Sequence, residues 1–404
     1  VSEVAQAEST ILAVTGNEAA AEAMRQVNPD VVAAYPITPQ TEVVQLYAQM
    51  VADGKVDTEF ITAESEHSAM SAVIGSAAAG ARTMTATSSQ GFALMWEVVY
   101  VAASYRLPIV MTTVNRALSG PINIHCDHSD TMGGRDSGWI QLYGENHQEA
   151  YDNLIQGVRI AEHMDVRLPV MNMYDGYVIS GAIGPLQMLP DDVVKRFVGP
   201  YKAINPLLDT KHPVTVGPFD GLHGWYFEHK VAQNRAMTRS LKVIDEVAAE
   251  YAELSGRRYG LLDPYRMDDA EIAIVVVGST AGTTRTIVDK LRGQGVKAGM
   301  VRVRVFRPFP VQAYVEALSA CKVVGVLDRA DSFGAQGGPV FLEVRSALYD
   351  APQRPQVVPF IYGLGGRDIF PDNIEEAFGV LQRGLAGETL PVERTYLNLR
   401  KDRA

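Results

Sequence analysis

The strongest constraint on what this chain can fold into is a repeated beat through Gly176, where short apolar runs with buried-strand character alternate with Ala-, Ser- and Gly-rich runs of helical length. Val31-Val32-Ala33-Ala34-Tyr35 is ended by Pro36, which biases Tyr35 toward an extended conformation and leaves Thr38 near a helix start. Glu66 to Gly80 has few bulky residues and suits a helix packed closely on a sheet or on a partner chain. Arg82 to Thr87 reads as a strand, Ser88-Ser89-Gln90-Gly91 as its break, and Phe92 to Tyr105 as a helix. Leu107 to Val114 is a further strand, followed by a long polar loop through Asn123-Ile124-His125-Cys126-Asp127-His128-Ser129-Asp130. Glu149 to His163 is helical, and Leu168 to Tyr174 is a strand that stops at Asp175-Gly176. Such alternation predicts an α/β fold with a doubly wound, largely parallel sheet.

From about Leu186 to Gly260 the pattern loosens into Pro, Gly, His and aromatic residues, with a helix from roughly Asn234 to Leu254. A second α/β unit then opens at Ile272 to Thr280, a buried strand running into a Gly/Ser/Thr turn and a helix from Thr283 to Gly293. Strands follow at Ala298 to Val305 and Val323 to Leu327, Arg304 to Pro310 marks a stiff connection, and Gly334 to Pro339 opens another helix. The boundary falls near Gly260, which predicts domains 1–260 and 261–404.

At 404 residues the chain is long enough for two or three domains. A formal charge of -11 with no basic block argues against nucleic acid or an anionic membrane surface as partner. Cys126 and Cys321 lie far apart, so the chain offers neither a disulfide framework nor a CxxC pair for zinc or an iron–sulfur cluster. Val1 to Ala7 lacks the basic and apolar regions of a signal peptide, and no apolar run reaches membrane-spanning length. A cytoplasmic location is expected.

Three segments carry the chemistry: Tyr35-Pro36-Ile37-Thr38-Pro39, Glu64-Ser65-Glu66-His67-Ser68-Ala69 and Asn115-Arg116-Ala117-Leu118-Ser119. Each follows a strand-like run or opens a small-residue helix, so a doubly wound sheet would bring them together where strand ends meet helix starts. They supply an acid, a cation and a hydroxyl. Glu66 among Ala and Ser at a helix start should be partly buried, which suits proton exchange, but it is equally a helix-N-terminal acid favoured by the dipole, and Glu64 is its rival. Arg116, just past a strand end, is either a surface arginine or a bidentate carboxylate clamp. The turns Gly278 to Gly282 and Gly334 to Gly338 match no phosphate-binding fingerprint and read as structural. His125, Cys126, Asp127 and His128 are too close in sequence to wrap one ion and read as a polar loop against a partner or a pocket. No metal site is expected on this chain.

In order along the chain, Tyr35 to Pro39, Ser65-Glu66 with its small-residue helix, Thr87-Ser88-Ser89-Gln90-Gly91, Asn115 to Ser119, Asp127 to Asp130, Arg135-Asp136-Ser137-Gly138 and Asp175-Gly176 together resemble the α subunit of pyruvate:ferredoxin oxidoreductases. The resemblance implies a pyrimidine-type thiamine-diphosphate-binding domain followed by a transketolase C-terminal-like domain, in a subunit active only with partners. By that likeness Glu66 would hydrogen-bond the cofactor's pyrimidine nitrogen and promote the imino tautomer that deprotonates the thiazolium. Pro36 and Ile37 would border the cofactor, Arg116 would grip the substrate carboxylate, and Thr38 would donate a hydrogen bond to the substrate. The chain has no GDG followed by an Asn to hold Mg2+ and diphosphate, so a β subunit should carry that half-site. Its two cysteines are too few to hold a cluster, so the [4Fe-4S] clusters that the resemblance implies would sit on partner subunits; the likeness also implies γ- and δ-type subunits, ferredoxin as acceptor and coenzyme A taking the acetyl group. Neutral Thr38 and Ser119 favour pyruvate over a dicarboxylate. Oxalate, 2-oxoisovalerate, 2-oxoglutarate or an aryl oxoacid stay open as substrates. A non-catalytic adaptor subunit and a transketolase-like transferase fragment are the readings of other classes.

Overall fold

Val110–Asn115, Thr83–Thr87, Ile140–Tyr143 and Val170–Asp175 are each buried along their whole length. Strands without a solvent face need helices on both sides, the arrangement that parallel sheets require. A computed structural model describes residues 10–217, 219–391 and 393–400 of the chain; Val1 to Ala7 lie outside the described residues. The strands form a seven-stranded sheet in the spatial order Val305–Arg307, Ile140–Tyr143, Val170–Asp175, Val110–Asn115, Thr83–Thr87, Val31–Ala34, Glu59–Thr62. All are parallel except Val305–Arg307. Val31–Ala34 pairs with Glu59–Thr62 on one side and Thr83–Thr87 on the other, so successive connections leave it in opposite directions. The crevice beyond its carboxyl end is where such sheets take ligands.

A second sheet of six strands runs Thr395–Tyr396, Gln356–Ile361, Val323–Asp328, Ile272–Val277, Ala298–Val303, Leu262–Tyr265, with only the last antiparallel. Thr10–Thr15 and Ile183–Met188 make a separate antiparallel pair. The fold class is thus mixed α/β with parallel sheets, as the sequence pattern predicts.

Several elements depart from that pattern. Glu59–Thr62 and Ile140–Tyr143 are strands of only four residues, too short to register as periodic runs. The helix expected from Phe92 already starts at Ser89 and is split at Met95 into Ser89–Leu94 and Trp96–Ser104. The long helix spans Tyr226–Ser255, beginning ahead of Asn234, because its first turns are exposed and carry no periodic apolar face. The expected strand from Ala298 to Val305 ends at Val303. Beyond Arg304 the chain leaves the second sheet, and Val305–Arg307 adds to the edge of the first. Arg304 makes this crossing possible. It is fully buried, donates through Nε to Asn153 Oδ1 at 2.9 Å and through Nη2 to Gln156 Oε1 at 3.0 Å, and so ties the crossing to the helix His147–Glu162. Burial pulls its guanidinium down to about 10, which still leaves it charged at neutral pH.

A second tie between the two sheets is the buried Asp175 at the end of Val170–Asp175. Its Oδ1 accepts from His128 Nε2 at 2.7 Å, and its Oδ2 accepts from Arg329 Nη1 at 2.8 Å and from Ser279 Oγ at 2.6 Å. Burial alone would raise this carboxyl, but the charges of His128 and Arg329 outweigh it and hold Asp175 well below the usual carboxylate range. Substitution D175N leaves Arg329 buried without its counter-charge, which should cost about 3–5 kcal/mol of stability. Because the native group titrates below its unfolded value, that contribution is complete above about pH 4 and is lost as pH falls toward the native value. Urea unfolding of the parent and D175N should therefore show a wide stability gap at pH 7 that narrows in acid; a gap independent of pH would remove the charge pair as its cause. Among the described residues no helix is long and apolar enough to cross a membrane.

Candidate active site

The loops at the carboxyl ends of four neighbouring strands build the site. Glu66 opens the helix Glu66–Ala79, whose N-cap Ser65 accepts from Ser68 N through its hydroxyl at 3.2 Å. That cap fixes the first turn and turns Glu66 inward, where it is only 6% exposed. Its rival Glu64 is exposed and accepts from Ser68 Oγ at 3.1 Å. Burial therefore separates two acids that sequence position could not.

The Glu66 side chain lies over Gly91. A Cβ placed at Gly91 would sit 2.7 Å from Glu66 Oε1 and 2.5 Å from Thr87 Oγ1, so only glycine leaves room for this carboxylate. Among the described residues nothing hydrogen-bonds the Glu66 carboxylate, and the buried Thr87 hydroxyl has no partner either. A sheltered acid with no hydrogen-bond partner among the described residues, beside the Thr87 hydroxyl, would suit a polar heterocyclic ligand. Substitution G91A should displace Glu66 or Thr87 and weaken binding of the thiamine diphosphate that the sequence resemblance implies by about tenfold or more, the equivalent of one mispositioned buried hydrogen bond. Titrating the assembled complex with the cofactor checks this, and an unchanged affinity would take Gly91 and its neighbours out of the site.

The loop Tyr35 to Pro39 follows Val31–Ala34. Its backbone is pinned: Ile37 N donates to Gln40 Oε1 at 3.2 Å, Asn17 Nδ2 donates to Pro39 O at 2.9 Å, and Arg116 Nη1 donates to Thr38 O at 2.8 Å. Pro36 and the Thr38 side chain remain exposed, and Ile37 is half-buried. Pro39 packs against Gly176, where a Cβ would meet its ring at 2.8 Å and Asn115 O at 2.4 Å. Asp175-Gly176, which reads in the sequence as a turn, thus lets two site loops approach each other.

Arg116 follows the strand Val110–Asn115 and is buried, not a surface arginine. Besides its bond to Thr38 O, its Nε donates to Asn123 O at 3.0 Å. Those two carbonyls fix the guanidinium plane, and Nη2 has no partner among the described residues. Thr38 and Arg116 are therefore in direct contact through the Thr38 carbonyl. Ser119 is exposed and accepts from Gln90 Nε2 at 2.5 Å.

The polar loop lies against the second sheet. His128 N donates to Arg329 O at 2.8 Å, Gly365 N to Asp127 Oδ2 at 3.0 Å, and Asn123 Nδ2 to Gly365 O at 2.9 Å. Cys126, His128 and Asp175 bring metal-ligand atoms within 4.8 Å of one another, but both Asp175 oxygens are already engaged by His128, Ser279 and Arg329. Burial pushes the Cys126 thiol well above its usual range, which keeps it protonated. The group serves as the clamp between sheets. The sequence singles out Asp127 to Asp130 and Asp175 without giving them roles; the only signal it carries is a run of acids and histidine in a loop with no helix of its own.

A buried, unpartnered acid at the switch point of a doubly wound sheet, with an oriented cation on a neighbouring loop, would suit a small organic cofactor. Residues 22–249 match the family model described as pyruvate flavodoxin/ferredoxin oxidoreductase, thiamine diphosphate-binding, and residues 270–374 match pyruvate:ferredoxin oxidoreductase core domain II. Pyruvate synthase subunit PorA of Thermotoga maritima is 57% identical over 96% of this chain and 98% of its own length. The same subunit of Methanocaldococcus jannaschii is 44% identical over 93% and 96%. Ketoisovalerate oxidoreductase subunit VorA of Pyrococcus abyssi is 40% identical over 96% and 98%. In fold, the chain resembles 2-oxoglutarate:ferredoxin oxidoreductase from Magnetococcus marinus with a TM-score of 0.70 at 21% identity, covering 92% of this chain and 65% of that one. The chain belongs to the pyruvate:ferredoxin oxidoreductase family of 2-oxoacid oxidoreductases and carries that family's thiamine-diphosphate-binding region.

Proposed function

We propose that this chain is the α subunit of a multi-subunit pyruvate:ferredoxin oxidoreductase. The enzyme converts pyruvate and coenzyme A to acetyl-CoA and carbon dioxide, passes the electrons to ferredoxin, and runs in reverse as a pyruvate synthase. The observation that carries the reading is the sheltered, unpartnered Glu66 carboxylate over Gly91, inside the region matching the cofactor-binding model. Pyruvate as the substrate rests on the 57% identity to a pyruvate synthase subunit and on the neutral Thr38 and Ser119 near Arg116.

When bound, thiamine diphosphate supplies a nucleophile for the keto carbon and a sink for the electron pair that departing carbon dioxide leaves. Glu66 would hydrogen-bond the pyrimidine nitrogen of the bound cofactor and exchange a proton with it. Pro36 and Ile37 would border the ring. Arg116, oriented by Thr38 O and Asn123 O, offers Nη2 to the substrate carboxylate, and the Thr38 hydroxyl donates to the same substrate. Partner subunits, among them γ- and δ-type chains, would hold the [4Fe-4S] clusters that accept electrons singly on their way to ferredoxin, and a β subunit would hold Mg2+ and the diphosphate half-site. Leu118, Ile122 and Ile124, on the loop that carries Arg116, leave apolar surface in water that a partner chain would cover. The chain divides into 1–260, the pyrimidine-type domain, and 261–404, the transketolase C-terminal-like domain, with Val305–Arg307 crossing back. We place the complex in the cytoplasm.

The test is anaerobic reduction of ferredoxin by the assembled complex with thiamine diphosphate, Mg2+ and coenzyme A, comparing pyruvate, 2-oxoisovalerate, 2-oxoglutarate and oxalate. Coenzyme-A-dependent turnover selective for pyruvate is expected. Preference for another oxoacid moves the substrate and keeps the chemistry; no turnover with any of them, cofactor bound and clusters intact, makes the chain an adaptor.

A further inference from the structure

Asp130 lies at the start of the short helix Ser129–Gly133 and is 1% exposed. No ion pair compensates it among the described residues; four N–H donors do. Its Oδ2 accepts from Ser89 N at 3.1 Å and from Arg116 N at 3.0 Å, and its Oδ1 accepts from Asn115 Nδ2 at 2.9 Å and Thr131 N at 2.7 Å. Burial raises this carboxyl to about 6 against the pull of those donors, so at neutral pH it is a carboxylate that can accept all four. The two Oδ2 bonds are the informative ones. One grips the residue that carries the substrate-facing guanidinium. The other grips Ser89, which is held at a φ of 44°, a conformation that non-glycine residues adopt only where the surroundings impose it. Ser89 also donates through Oγ to Ala117 O at 2.5 Å, so the same two loops are stitched twice. Gly91, on which Glu66 rests, is two residues beyond Ser89.

Resting on the reading above, we propose that Asp130 is a positioning residue: a single carboxylate oxygen sets the distance between the Arg116 loop and the Ser89–Gly91 platform, and so holds substrate cation and cofactor acid in register. It touches neither substrate nor cofactor and acts through Arg116 and Ser89. Substitution D130N keeps the volume but turns one acceptor into a donor facing other donors, which breaks either the Ser89 and Arg116 pair or the Asn115 and Thr131 pair. In the assembled complex KM for pyruvate should rise about tenfold or more, the loss expected when a buried donor goes unpaired.

A double-mutant cycle with R116A separates the possibilities. If Asp130 acts through Arg116, the KM effect of D130N shrinks or vanishes in the R116A background. R116A alone leaving KM unchanged sinks the placement of Arg116 in the site, whatever Asp130 does. R116A raising KM while D130N leaves KM and kcat alone overturns the positioning role, as does full additivity of the two. A merely structural aspartate would lower Tm and spare the kinetics of the folded complex. The swap N115D/D130N puts a carboxylate at 115 opposite the new amide nitrogen and leaves the amide oxygen for Ser89 N and Arg116 N, while Thr131 N still faces that nitrogen. It should recover part of the lost kcat/KM. Should D130N fail to assemble, the swap becomes the test, and failure of both to assemble assigns Asp130 to folding alone.

Discussion

Substituting Glu66 with Gln should lower turnover of the assembled complex by about 10²- to 10⁴-fold, the range that a positioned proton-transfer group contributes. The change keeps the volume over Gly91 and removes only the ability to carry a charge and exchange a proton. Its structural cost is small. Glu66 occupies the first turn of Glu66–Ala79, where a carboxylate gains about 0.3–1 kcal/mol from the helix dipole, and no hydrogen bond among the described residues is lost with it. Activity and stability should thus separate sharply, with Tm nearly unchanged while viologen reduction collapses. Substitution E64Q, at the exposed neighbour that pairs with Ser68, should leave turnover within about twofold, as surface substitutions do. Equal losses at both positions would contradict the assignment of the acid to Glu66.

The second large effect is expected at Arg116. Under the proposed role, removing the guanidinium with R116A takes away a buried, charge-assisted contact to the substrate carboxylate, for which truncation costs about 2–5 kcal/mol. In kcat/KM for pyruvate that is a loss of about 30-fold to several thousandfold. R116K tests geometry apart from charge. Lysine keeps a cation but cannot hold Thr38 O and Asn123 O while presenting a second planar nitrogen, so it should recover little of the loss. Thiamine diphosphate affinity should stay within a few-fold of the parent if Arg116 serves the substrate as proposed. A cofactor affinity that falls in parallel with KM would mean that the Thr38 loop had moved, and Arg116 would then be a strut for that loop.

Much of the candidate site's placement in the fold is legible in the amino-acid sequence. Glu66, Arg116 and Thr38 stand at a helix start, a strand end and a post-strand proline turn, and a parallel sheet directs all such positions to one edge. Their neighbours in space are not legible. Asp130 sits in a loop that reads only as polar, yet it joins Ser89 and Arg116 across 41 and 14 residues of sequence. Asp175 looks like a turn residue because its partners Ser279 and Arg329 lie 104 and 154 residues away. Arg304 reads as part of a stiff connection. Its burial between sheets, and the passage of Val305–Arg307 to the first sheet, depend on Asn153 and Gln156 from another helix.

The sequence by itself determined the α/β class, the direction of the main strands, and the set of loops that would face one another, because side-chain periodicity and the placement of proline and glycine are local properties of the chain. The tertiary structure decided which of two nearby acids is sheltered, which carbonyls orient Arg116, and how a second sheet is clamped to the first. Those outcomes follow from hydrogen-bond partners that only folding brings within about 3 Å of each other, and a buried charge settles where its donors are, not where its sequence neighbours suggest.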